Sequence, residues 1–208
     1  PSKAPYALAT GLVAALLTAI IGVYFAFSFG WPILVIGAIG LFIIFLYTPV
    51  FNHSPFLCLV SPGLGFGTLT VLGTYYVLTG NFSWAALLAS FIPFFLVSNL
   101  LLLNQFPDAD ADLSVGRRHY PILIGRKASA MLYVAFLAAT YAVLILGVVL
   151  GLFPLWSLIG LGTLFFAVPT SLAVLKNAEN IPQLLPSLAQ NVLLNILTPV
   201  LAGIGFLI

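Results

Sequence analysis

The chain has 208 residues, 62% of them hydrophobic and 5% charged, with a net charge of +2. A soluble domain carries roughly 25% charged residues, so the composition excludes one and points to an integral membrane protein. A single cysteine, Cys58, excludes an intramolecular disulfide and a cysteine metal cluster, and reads as a small apolar filler.

A bilayer core is crossed by roughly 20 apolar residues in helical form. Seven such runs follow one another at 6–28, 32–50, 64–79, 84–104, 128–150, 154–175 and 189–207. The third is short and glycine-rich, which predicts a tilted or irregular helix. The runs are continuous rather than alternating, which excludes a membrane barrel. The expected fold class is all-α, a multi-pass transmembrane helical bundle, with residues 1–208 forming one membrane domain.

Charge gives the orientation. Seven crossings put the N-terminus and the loops near 51–63, 105–127 and 176–188 on one side. All six basic residues fall there: Lys3, Arg117, Arg118, Arg126, Lys127 and Lys176. The positive-inside rule makes that side cytoplasmic. The opposite loops are short and uncharged, and beside them stand Trp31, Trp84 and Trp156. Tryptophan favours the membrane–water interface, so the two signals agree.

The stretch 104–127 concentrates the charge, with Asp108, Asp110 and Asp112 followed by Arg117, Arg118, Arg126 and Lys127. If the fourth run continues as a helix, Asn104, Asp108 and Asp112 share a face, and Asp110 points elsewhere. Pro107 predicts a kink or a new first turn there. Paired carboxylates are hard oxygen donors that suit Mg²⁺, an ion that commonly bridges to substrate phosphates. Gly116 allows a turn that brings Arg117 and Arg118 back over phosphate oxygens, where a guanidinium fork fits. The basic residues alone are what any cytoplasmic loop carries; three aspartates within five residues are not. His53 and His119 have no partner at metal-ligand spacing and read as loop residues.

At these residues the chain resembles the UbiA superfamily of intramembrane aromatic prenyltransferases. The resemblance is carried by Asn104-Gln-Phe-Pro-Asp108-Ala-Asp-Ala-Asp112-Leu-Ser-Val-Gly116-Arg117-Arg118, which looks like the family's second aspartate-rich motif. Tyr47-Thr48-Pro49 and Leu72-Gly-Thr-Tyr-Tyr-Val-Leu-Thr-Gly80 resemble the branch that acts on 1,4-dihydroxy-2-naphthoate in menaquinone synthesis, and Gly63-Leu-Gly65 stands where the family has a Gly-Leu-Gly-Glu turn. Phe66 departs from the family's glutamate after Gly-Leu-Gly.

The resemblance implies nine helices, about seven of them present, and a Mg²⁺-dependent transfer of a prenyl group from an isoprenoid diphosphate to an aromatic quinone precursor. It implies Asp108 and Asp112 as metal ligands, and Arg117, Arg118 and Asn104 on the diphosphate. The family's first aspartate-rich motif has no counterpart, and the expectation is that it and two helices precede Pro1. Tyr47, Tyr75 and Tyr76 are candidates for an aromatic cavity wall, with ordinary packing as the alternative. Asn191 and Asn195 share a face of the last run and line that cavity or bond between helices. The expected partners are the two substrates and the lipid bilayer. Neither nucleic acid nor an obligate protein partner is implied. Two other classes stay open: a non-catalytic membrane protein of the same fold, and a small-molecule transporter. No run carries an internal ionisable acid, base or histidine, which weighs against ion coupling.

Overall fold

The computed structural model describes residues 4–208; Lys3, counted above with the basic residues, lies outside them. In chain order the helices are α1 (Ala4–Phe29), α2 (Pro32–Tyr47), α3 (Pro55–Pro62), α4 (Thr70–Thr79), α5 (Trp84–Ser114), α6 (Tyr120–Leu123), α7 (Gly125–Val149), α8 (Leu164–Asn177) and α9 (Ile181–Gly205). A π-helical segment, Gly63–Leu69, fuses α3 and α4 into one helix, Pro55–Thr79. A 3-10 segment, Leu155–Thr163, leads straight into α8. Six of the resulting helices are long and apolar enough to cross a membrane, and α2 is a shorter apolar helix of 16 residues.

Local chemistry sets the ends. The Ser83 hydroxyl accepts the Ala86 N–H at the start of α5, and the Asn180 side chain accepts the Gln183 N–H at the start of α9. First-turn prolines open α2, α3 and α9, where a missing N–H costs nothing.

Three expectations are corrected. The loop near 51–63 is mostly helix, because the third crossing begins at Pro55 instead of residue 64. Pro62 removes one backbone donor, and the wider π turn after it carries the helix onward. The last crossing likewise begins at Ile181, well before residue 189, which shrinks the loop at 176–188. Pro107 does not restart the chain: α5 runs on through it to Ser114.

The core sits where α5, α7 and α9 meet. Leu96, Leu102, Leu103, Phe106, Leu144 and Leu194 are fully buried there. A ring of hydrogen bonds ties the three helices together at mid-depth. The Asn99 amide donates to the Tyr133 carbonyl at 2.8 Å. The Tyr133 hydroxyl donates to Asn191 Oδ1 at 3.1 Å. The Asn191 amide returns to the Asn99 carbonyl at 3.3 Å, and Asn195 donates to the Asn191 carbonyl at 3.0 Å.

The fused α3–α4 helix lies flush on α5. A Cβ on Gly63 would meet the Phe94 carbonyl and the Ser98 hydroxyl, and one on Gly67 would meet the Phe94 backbone. The Gly63-x-x-x-Gly67 spacing is thus a close-approach surface of the kind membrane helices use. By contrast, α1 packs against α2, and none of its apolar stretch is buried.

The loops after α2, α5 and α8 gather at one end of the bundle, where Arg118 N–H donates to the Asn52 carbonyl at 2.8 Å and Lys127 pairs with Glu179 at 3.1 Å. Trp31, Trp84 and Trp156 stand largely exposed at the other end.

Candidate active site

The unbroken α5 decides the geometry. Spacing of four residues stacks Asn104, Asp108 and Asp112 on one face of its last turns, and all three line a polar cavity of about 190 Å³. Asp110 projects away from it and pairs with Arg126 at 2.9 Å. Arg126 Nε also donates to the Phe106 carbonyl at 2.9 Å, tying the start of α7 to α5 next to Pro107.

Beyond α5 the chain turns back at Gly116, whose φ of 80° lies in the left-handed region that glycine tolerates without strain. The turn returns Arg117 to the cavity. Its backbone N–H donates to the Asp112 carbonyl at 3.0 Å, and Nη1 donates to Asp112 Oδ1 at 3.0 Å. Arg118 is exposed and outside the cavity lining; its backbone, not its side chain, is docked, on Asn52.

His119 is 2% exposed and bonds Asp112 Oδ2 through Nε2 at 3.1 Å. Burial pushes its imidazole below the ordinary histidine range, and the bond to Asp112 opposes that shift. Against a carboxylate oxygen, which accepts, the Nε2–H is the donor of this contact.

The opposite wall comes from the loop after α2 and the start of α3. Asn52 and Cys58 are buried there. Gln105 Nε2 donates to Cys58 Sγ at 3.2 Å, and the Tyr47 hydroxyl lies 3.6 Å from the same sulfur. Cys58 is thus part of a polar wall, not the apolar filler the sequence suggests. His119, expected as a loop residue, is buried in the site, whereas His53 is exposed and outside it. Asn52, Gln105 and His119 escape the sequence reading because their contacts join segments far apart in the chain.

Tyr47, Thr48 and Leu101 also line a second, mostly apolar groove of about 530 Å³, walled by Ile43, Ile44, Pro62, Gly65 and Phe66. A polar cavity and an apolar groove thus share Tyr47, Thr48 and Leu101 as a common edge. Tyr75 lies elsewhere, in a groove with Ile92, Pro93 and Pro199. Tyr76 stacks on Phe82 at 4.8 Å between ring centres, toward the tryptophan end. Asn191 and Asn195 belong to the mid-depth ring and line neither cavity.

The donor set suits a hard divalent cation. Among the described residues, hydrogen bonds and ion pairs at this end engage the side chains of Asp110 and Asp112 but not those of Asp108 or Asn104. No cluster of three or more His, Cys, Asp or Glu stands among the described residues. One or two carboxylates facing an open cavity fit Mg²⁺, which keeps waters and completes its shell with substrate phosphates.

The sequence profile of the UbiA prenyltransferase family matches residues 6–195. The chain belongs to this family. It is an integral, multi-pass member, as its six long apolar helices require. It is 30% identical over 161 residues to 1,4-dihydroxy-2-naphthoate octaprenyltransferase of Bacillus subtilis (strain 168), an alignment covering 76% of this chain and 50% of that protein. The chain therefore spans about half the length of the curated relative it matches. No solved structure matches it.

Proposed function

We propose that this UbiA family member transfers a prenyl group from an isoprenoid diphosphate to an aromatic quinone precursor of the 1,4-dihydroxy-2-naphthoate type. The observation that carries this reading is the meeting of the two cavities. Asn104, Asp108, Asp112 and Arg117 line a polar space, and that space shares Tyr47, Thr48 and Leu101 as an edge with an apolar groove. A diphosphate ester with an apolar tail has this division of polarity.

In this account Asp108 and Asp112 would hold Mg²⁺, with Asn104 beside them on the same helix face. The metal, when bound, neutralises charge developing on the leaving diphosphate. Arg117 donates to the diphosphate oxygens, and Arg118 adds to the positive field at the mouth. The bond between the allylic carbon and the diphosphate oxygen breaks, its electron pair leaving with diphosphate; the aromatic ring of the acceptor attacks the resulting cation and then loses a proton from the attacked carbon. The apolar walls around Tyr47 keep water from capturing that cation. The charged end faces the cytoplasm, in line with the clustering of Arg117, Arg118, Arg126, Lys127 and Lys176.

One observation favours a second reading. The chain carries no acidic residue before Asp108, so it holds one acidic cluster. A non-catalytic membrane protein of the same fold would bind diphosphate there without turning it over.

The test is product formation. The protein in detergent, supplied with an isoprenoid diphosphate, 1,4-dihydroxy-2-naphthoate and Mg²⁺, is expected to yield prenylated naphthoate by mass spectrometry. Omitting Mg²⁺ abolishes the product. Diphosphate binding without any product supports the second reading, and neither binding nor product overturns both.

A further inference from the structure

The two acids of the cavity are held very differently. Asp108 is exposed and its carboxylate is open to the cavity. Asp112 is engaged at both oxygens, by Arg117 Nη1 on Oδ1 at 3.0 Å and by His119 Nε2 on Oδ2 at 3.1 Å. Those two partners are not equivalent. The Arg117 side chain is 48% exposed and reaches Asp112 on a long flexible stem, whereas the His119 side chain is 3% exposed.

The backbone fixes His119 further. Its carbonyl accepts the N–H groups of Ile122 and Leu123, each at 3.0 Å, at the start of α6. The preceding residue is pinned to Asn52 at 2.8 Å. A short, buried, anchored donor thus holds one oxygen of Asp112, while a long and mobile one holds the other.

We propose that His119 is a positioning residue for Asp112. This rests on the reading of the cavity as a metal–diphosphate site. The Nε2–H bond fixes the plane of the carboxylate through Oδ2. When an anionic diphosphate draws Arg117 away, Oδ1 is left facing the cavity in a set orientation, beside the open Asp108. Outer-shell donors of this kind govern ligand orientation, and removing one costs about 10–100-fold in metal affinity.

The test compares two amides. His119→Gln places its side-chain nitrogen about where Nε2 stands, whereas the shorter His119→Asn cannot reach Oδ2. Mn²⁺ binding to the protein in detergent, read by electron paramagnetic resonance with inorganic diphosphate as the anionic probe, is the readout. The Mn²⁺ dissociation constant is expected to rise about 10–100-fold in His119→Asn and to stay close to native in His119→Gln. Equal affinity in both variants and the native protein overturns the proposal, as does equal weakening in both.

Nitrogen NMR of the native protein and of Asp112→Asn, both of which keep His119, covers a His119 variant that fails to fold. The His119 Nε2 resonance is expected to shift in Asp112→Asn, and an unmoved resonance contradicts the assignment. A native protein that binds no Mn²⁺ overturns the metal reading and this one with it. Binding that is lost in Asp108→Asn but kept in His119→Asn overturns the His119 role alone.

Discussion

Two polar clusters in this bundle use similar side chains for opposite ends. At mid-depth, Asn99, Tyr133 and Asn191 close a ring in which each residue donates to the next helix, and all three are buried. At the charged end, Asn104 and Asp108 sit further along the same α5 and are exposed to a cavity. The first cluster has its donors committed to neighbouring helices. The second leaves the side chains of Asn104 and Asp108 outside the hydrogen bonds and ion pairs of the described residues. An asparagine on a membrane helix is therefore structural or functional according to what its amide already holds.

This contrast can be broken from either side. The largest effect is expected at the open cluster. Asp108→Ala lowers prenyl transfer by roughly 10²–10³-fold, the scale of losing one preorganised charge-stabilising group. Its melting temperature is expected to stay at the native value, since the exposed carboxylate enters no hydrogen bond or ion pair among the described residues. Activity and thermal unfolding measured on one preparation separate the two.

Next comes the surface that brings the α3 side of the cavity onto α5. Gly67→Val places side-chain atoms against the Phe94 backbone. Overpacking of this kind costs about 1–3 kcal/mol, read as a lowered unfolding midpoint, with activity falling in step with the folded fraction. A variant with native stability would mean that α3–α4 does not lie flush on α5.

Tyr133→Phe cuts the closed ring at one bond. Interhelical hydrogen bonds in membranes average about 0.6 kcal/mol, so a small loss of stability is expected, with turnover per folded molecule unchanged. A large loss of turnover would move the ring into the functional class. The smallest effect belongs to Asp110→Asn. Asp110 is exposed and its pair with Arg126 is of the surface kind, so both stability and turnover stay within experimental error of native.

Much of this was legible in the sequence because it follows from period and composition. The apolar runs set the helices, and a spacing of four placed Asn104, Asp108 and Asp112 on one face. Pro107 misled on one point: a missing backbone donor reads as a place to restart a helix, but α5 runs on through it, beside the Arg126 bond to the Phe106 carbonyl. His119, Asn52 and Cys58 carried no signal of their own. Gln105 meets Cys58 across 47 positions, and nothing in either local sequence records that contact.

The central claim is that the Asp108 face receives a metal-bound diphosphate whose tail enters the groove beside Tyr47. Its most direct test is calorimetric binding of a non-cleavable isoprenyl thiodiphosphate to native protein and to Asp108→Ala, with and without Mg²⁺. The account predicts binding that needs both Mg²⁺ and Asp108. Equal binding by native protein and Asp108→Ala, or binding indifferent to Mg²⁺, would contradict it.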